Sequence, residues 1–225
     1  MAKSIHNWMI YLLHDRALRE QAERHFRGHL LDLGCGTKPY QSLLRPFIEK
    51  HIGLDRPSPF NSASKPDVAA SVESLPFPDN TFDSALSTFA LEHLKEPAKA
   101  LRETRRVLRP GGTLILSLPL IWQVHAKPWD YFRFTNFGIE FLCDEAGLEI
   151  VDILPLSGFW VTFGQMLCYY LIRFCRGPIK YLLIIQLCTV AIQLICLTLD
   201  KIDKAEDWTW AYMVVARKPK AAAAT

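Results

Sequence analysis

The sequence predicts an α/β chain: a seven-stranded sheet, mostly parallel with its last strand antiparallel, with helices on both faces. Three observations carry that expectation. Short apolar runs alternate with helical stretches at the spacing of β–α units. A Gly-x-Gly turn follows the first apolar run, and a block of 47 residues, 153–199, holds only three charges (Arg173, Arg176 and Lys180).

Taken in order, residues 1–27 read as a charged helix with Leu12, Leu18, Ala22 and Phe26 on its apolar face. Residues 29–33 are a strand, followed by the glycine turn and a helix over 40–49. Strands follow at 51–54, 68–71 and 82–87. Residues 98–108 form an amphipathic helix stopped by Arg109-Pro-Gly-Gly112, and 113–118 a fifth strand. A helix over 138–146 ends at Gly147, a sixth strand covers 148–154, and 211–216 closes a Rossmann-like sheet. The expected organisation is a main domain of residues 1–155 and 208–219, an apolar helical insertion over 156–207, and a tail at 220–225, with fraying from 218.

Composition narrows the function. Half of the 225 residues are hydrophobic and 22% are charged, which excludes a disordered chain. A net charge of +3 gives no reason to expect a nucleic-acid partner. The six cysteines show neither a C-x-x-C pair nor zinc-ligand spacing. They suit a reducing, cytoplasmic setting. His25 and His29 have helix-face spacing but no third ligand near them, so no metal site is expected.

The informative stretch is Leu30-Leu-Asp-Leu-Gly-Cys-Gly-Thr37. Gly34 and Gly36 let the backbone turn sharply and approach a ligand. Asp32 is ionisable within an apolar strand and needs a partner or a ligand, with a ligand favoured. Asp55 ends the second strand, where a carboxylate can accept both hydroxyls of a ribose. A dinucleotide site would want its third glycine at position 39, which is a proline. A cofactor with an amino-acid end suits the turn better.

With Gly53-Leu-Asp55, Glu73-Ser-Leu-Pro-Phe-Pro-Asp-Asn-Thr-Phe-Asp83, Leu91-Glu-His-Leu94 and Arg106-Val-Leu-Arg-Pro-Gly-Gly-Thr-Leu114, this stretch resembles the class I S-adenosylmethionine-dependent methyltransferases of the type 11 group. The resemblance implies S-adenosyl-L-methionine as cofactor. Gly34, Cys35 and Gly36 would line its methionine end, and Asp32 would hold the turn and the amino group. Asp55 would take the ribose hydroxyls with Arg56 beside the adenine. Ser71, Val72 and Glu73 would edge the adenine, while Ser87 and Thr88 close over the methionine. Two residues depart from the family pattern: Lys38 stands where many members have a third glycine, and Ser71 where many have an aspartate.

On the acceptor side, the loop after the fifth strand offers His125, Trp129, Asp130, Tyr131 and Arg133. His125, Tyr131 and Arg133 are the candidate catalytic residues, with His125 first as base because an imidazole titrates near neutrality. His93 reads as a structural anchor. The apolar stretches 156–172 and 181–199 predict a helical hairpin that lies on the membrane surface or covers a lipophilic acceptor channel. Packing of the two helices into a homodimer or an enlarged core is the competing expectation, and a membrane-spanning hairpin comes third. The implied acceptor is a small or lipid-linked molecule such as a quinone precursor, a lipid or a lipid-linked glycan. The implied location is cytoplasmic, at the inner face of the membrane.

Overall fold

The computed structural model describes residues 5–56, 66–174, 184–203 and 205–220. Seven strands form one sheet among them: β1 (His29–Leu33), β2 (Lys50–Asp55), β3 (Val68–Ala69), β4 (Phe82–Thr88), β5 (Leu108–Pro119), β6 (Glu149–Pro155) and β7 (Ala211–Arg217). Their order is β3-β2-β1-β4-β5-β7-β6. The pairs β1–β2, β1–β4, β2–β3 and β4–β5 are parallel, and antiparallel pairing is confined to the β7 end. Because β2 and β4 flank β1, the chain reverses its direction of travel there. Ligands bind at the carboxyl ends of strands at such a switch.

The helices are α1 (Trp8–His25), α2 (Gln41–Leu44), α3 (Pro97–Val107), α4 (Asn136–Glu145), α5 (Phe159–Ile172) and α6 (Ile184–Ile202). Several bounds depart from the sequence expectation. The helix over 40–49 shrinks to the four residues of α2 and a 3-10 turn, Arg45–Phe47. Pro46 lacks an N–H to continue the ladder. Arg109-Pro-Gly-Gly112 does not stop α3 outside the sheet; it lies within β5, where the register against β4 slips between Phe82 and Ser84. A Cβ on Gly112 would meet the Arg109 carbonyl at 2.8 Å. In α1, Leu12 is exposed and Met9 is buried in its stead. The expected fraying does not begin at Lys218, whose ammonium donates to Asn80 Oδ1 and the carbonyls of Arg106 and Leu108. Residues 221–225, the hairpin turn and Arg176 and Lys180 lie outside the described residues.

The chain divides into two compact units. The larger holds Leu18–Pro119, Val124–Leu154 and the described part of Tyr212–Thr225. Its core is the sheet. Leu30, Leu31, Leu54, Leu86, Leu114 and Val214 are fully buried, as expected of central strands covered on both faces. Amphipathic α3 turns Ala100, Leu101, Thr104 and Val107 inward. Arg106 then clamps the 75–79 turn, donating to the Leu75 and Phe77 carbonyls and to Asp79. At α4, Thr135 accepts the Gly138 N–H, a cap worth about 1 kcal/mol.

The smaller unit gathers the described residues of Met1–Ala17, Leu120–Gln123 and Pro155–Ala211. Here α5 and α6 approach closely: a Cβ on Gly164 would lie 2.5 Å from Cys196 Sγ. Asp200 on α6 accepts the Gly158 and Val161 N–H groups at the start of α5. Two buried glutamines tie in the amino-terminal segment. Gln165 donates to the His6 carbonyl and Asn7 Oδ1; Gln193 donates to the Ile5 carbonyl and accepts the Met9 N–H. The result is an inverted helix. In α6, Thr189, Gln193 and Cys196 are buried, while Ile184, Leu187, Leu194 and Ile195 are each more than half exposed.

Candidate active site

The bend after β1 is held mostly by backbone. Gly34 and Cys35 N–H both donate to the Leu54 carbonyl, at 2.9 and 3.1 Å, and Lys38 N–H closes the turn on the Cys35 carbonyl. Gly34 has φ +69° and Gly36 φ +52°. A Cβ on Gly34 would lie 2.7 Å from that of Ala90, so this position requires glycine twice over. Asp55 joins the bend through its side chain: Oδ2 accepts the Gly36 N–H at 3.0 Å and Oδ1 the Arg56 N–H at 2.8 Å.

The two departures from the family pattern find local explanations. Lys38 adopts φ +53°, the left-handed conformation a glycine would take there. Its stem passes where a Gly53 side chain would stand, and its ammonium pairs with Asp67. Burial opposes ionisation of Asp67, but the bonds from Lys38 and the Gly53 N–H hold its carboxyl below the usual range. Ser71 closes a turn with Glu73, accepting the Glu73 N–H at 3.2 Å. Glu73 in turn accepts the Glu96 N–H just before α3. Val72 is buried beside this turn in the chain.

Asp32 has a partner within the protein: His51 Nε2 lies 2.9 Å from its Oδ2. Burial raises the Asp32 pKa, with the His51 contact opposing. Cys35 is inert, its thiol pushed up to about 12 by burial and by Asp32 and Asp55. On β4, Ser87 is buried and its Oγ has no hydrogen-bond partner among the described residues. Thr88, half-buried, pairs in register with Ser117. An orphaned hydroxyl one strand from the glycine bend, with a cradle that a Cβ would fill, fits a polar ligand lying over the ends of β1 and β4.

The acceptor-side residues meet differently. Arg133 grips Asp130 with a two-pronged contact, 2.7 and 2.8 Å, which holds the Asp130 carboxyl far below its usual pKa. Asp130 Oδ2 accepts the His125 N–H at 2.8 Å and lies 3.4 Å from His125 Nδ1. Arg133 thus acts through Asp130. Tyr131 touches the cluster by its backbone, donating to the Glu92 carbonyl, while its side chain is exposed. His93 anchors this loop, with Nδ1 2.7 Å from the Trp129 carbonyl, and its ring meets that of His125 edge-on at 5.0 Å. Glu92 is buried, with its carboxyl pushed up to about 8 by that burial.

Sequence reasoning missed His51, Asp67 and Glu92. Folding also brings Glu92, His93 and His125 together, with ligand atoms within 4.8 Å of one another, a juxtaposition not foreseen from the sequence. These residues come from two distant stretches, so linear spacing could not reveal them. The pair Glu92-His93 was the visible half.

Known proteins resemble this chain in sequence and in fold. Residues 31–116 match a family described as Methyltransferase domain. The ubiquinone/menaquinone biosynthesis C-methyltransferase UbiE of Citrobacter koseri is 46% identical over 70 residues, covering 30% of this chain and 28% of that protein. The chain therefore spans under a third of the curated relatives it matches. Among solved structures, the [4+2]-cyclase SpnF superposes with TM-score 0.59 at 23% identity, covering 92% of this chain and 81% of its own. An S-adenosylmethionine dependent methyltransferase from Mesorhizobium loti superposes with TM-score 0.57 at 18% identity, covering 92% and 97%. At those identities the likeness speaks for the fold. Through the domain match over residues 31–116 and the shared fold, this chain is similar to the class I S-adenosylmethionine-dependent methyltransferases of the type 11 group.

Proposed function

We propose that this chain is an enzyme that methylates a small lipophilic acceptor, a quinone precursor before a lipid or a lipid-linked glycan. One observation carries the reading: the Gly34–Gly36 bend tied to Asp55, with the buried Ser87 hydroxyl on the neighbouring strand left without a hydrogen-bond partner among the described residues. Bound S-adenosyl-L-methionine would supply an activated methyl group with its leaving group built in. The chain's task is alignment and exclusion of water. Gly34, Cys35 and Gly36 offer backbone groups to the methionine end, with Asp32 behind them. Asp55 accepts the ribose hydroxyls, with Arg56 beside the adenine. Ser71, Val72 and Glu73 edge the adenine, and Ser87 and Thr88 close the methionine side. His125, oriented by Asp130 and through it by Arg133, takes the acceptor's proton, and Tyr131 lines the entrance.

The quinone preference follows the biosynthetic name of the relative that matches over 70 residues. The inverted α6 supports a lipophilic setting. It is apolar enough over 19 residues to cross a membrane by composition, with 17% of its window buried. Its polar residues face inward and its apolar ones outward, the pattern of a helix with a greasy neighbour. The hairpin accordingly rests on the inner face of the membrane.

The fold alone does not fix a reaction, so the test is turnover. Purified chain is incubated with labelled S-adenosyl-L-methionine and demethylated quinone precursors in detergent. Formation of S-adenosylhomocysteine with a methylated quinone supports the reading; cofactor binding without turnover on any acceptor class points to a non-catalytic binding module. Co-sedimentation with phosphatidylglycerol vesicles tests the membrane part. Loss of pelleting in Leu187→Gln/Ile195→Gln supports it. A soluble dimer that ignores vesicles would replace it.

A further inference from the structure

We propose that Glu92, His93 and His125 form a binding site for a divalent transition-metal ion of the zinc, cobalt or nickel type. This goes beyond the methyl-transfer reading and does not depend on it.

The three groups come from the turn after β4 and the loop after β5, and their ligand atoms lie within 4.8 Å of one another. Each imidazole has one nitrogen already engaged. His93 Nδ1 sits 2.7 Å from the Trp129 carbonyl, which fixes the proton there and leaves Nε2 as a lone-pair donor. His125 Nδ1 faces Asp130 Oδ2 at 3.4 Å, and Asp130 is itself gripped by Arg133. Metal-binding histidines are oriented in this way, by a carbonyl or carboxylate on the ring nitrogen away from the ion. Glu92 supplies the anionic ligand, giving up its proton as the ion binds. Its side chain is 1% exposed, and Oε2 is buried without a hydrogen-bond partner among the described residues. A buried carboxylate oxygen left unsatisfied is costly and calls for a cation. His93 Nε2 stands 4.0 Å from Glu92 Oε1.

Two imidazoles and one carboxylate suit a borderline-soft ion over magnesium or calcium, which prefer all-oxygen shells. Bond lengths near 2.0–2.2 Å require the ligands to close by an amount on the order of 1 Å. The histidine side chains are 27% and 33% exposed, so the ion has an entry path and an open position. That position takes water, or an oxygen of the acceptor. In the loaded protein His125 is a ligand, and the base role assigned above describes the metal-free chain.

The test uses the full chain, stripped by chelator and titrated with Zn(II) against a chromophoric competitor. Expected are one ion per chain and a loss of about 10- to 100-fold in affinity in His93→Ala, His125→Ala and Glu92→Gln. His25→Ala, a control, leaves affinity unchanged. Far-ultraviolet circular dichroism and the thermal transition of each variant report its folding. Should a variant not fold, the wild type still decides. Zn(II) should protect His93 and His125 from diethylpyrocarbonate, read by peptide mass spectrometry, and Co(II) should give the visible absorption of imidazole ligation. No stoichiometric binding, unchanged affinity in the folded variants, or protection of other histidines overturns the site.

Discussion

The cofactor side and the acceptor side of the larger unit are built in opposite ways. The bend after β1 is made of backbone: paired N–H groups on the Leu54 carbonyl, two left-handed glycines, and one side chain, Asp55, folded back onto Gly36. The cluster after β4 and β5 is made of side chains, with Arg133, Asp130 and His125 in series and Glu92 and His93 facing them. A backbone site tolerates changes of side-chain chemistry and fails when a Cβ is added. A side-chain site fails when one link in its series is cut. Variants at the two places should therefore separate cofactor affinity from turnover.

The largest effect is expected from Gly34→Val. Left-handed φ costs a residue with a Cβ about 1–2 kcal/mol, and the added atom meets Ala90 at 2.7 Å. Calorimetry should find cofactor affinity reduced by at least about 100-fold, the range in which added bulk and lost pairing combine. Asp130→Ala comes next and acts on the other side. It leaves Arg133 without its forked partner and His125 without its orienting carboxylate. Turnover should fall by about 10- to 100-fold, as for loss of a carboxylate that orients a working histidine, while cofactor affinity stays within a factor of about 3. Asp55→Asn is milder: the amide can still accept the Gly36 N–H but loses the charge, so affinity should drop about tenfold. Smallest is Cys35→Ser, expected to change affinity by less than about threefold. Its thiol is buried and inert, and the backbone makes the bend. A large effect there, measured in the same titration, would break the comparison.

The same contrast explains what could be read in advance. The strands and the bend were legible because glycine, an acidic strand end and apolar runs each carry a local physical requirement. The helix after the bend was overestimated. Its apolar pattern ran on, but Pro39 and Pro46 left room for only four α-helical residues. His51 was hidden because its pairing with Asp32 depends on the β1–β2 register, which no single strand discloses. Asp67 was hidden for a like reason, since its contacts with Lys38 and Gly53 cross between strands. Glu92 read as part of a motif; its burial and the approach of His125 exist only after folding. In α6, Thr189 and Gln193 turn inward and are buried.

The most direct test is a crystal structure of the chain with S-adenosylhomocysteine. The account predicts the amino-acid end against Gly34–Gly36, the ribose on Asp55 and a polar contact to the Ser87 hydroxyl. A ligand bound elsewhere, or side chains packed into the space above the bend, would contradict it.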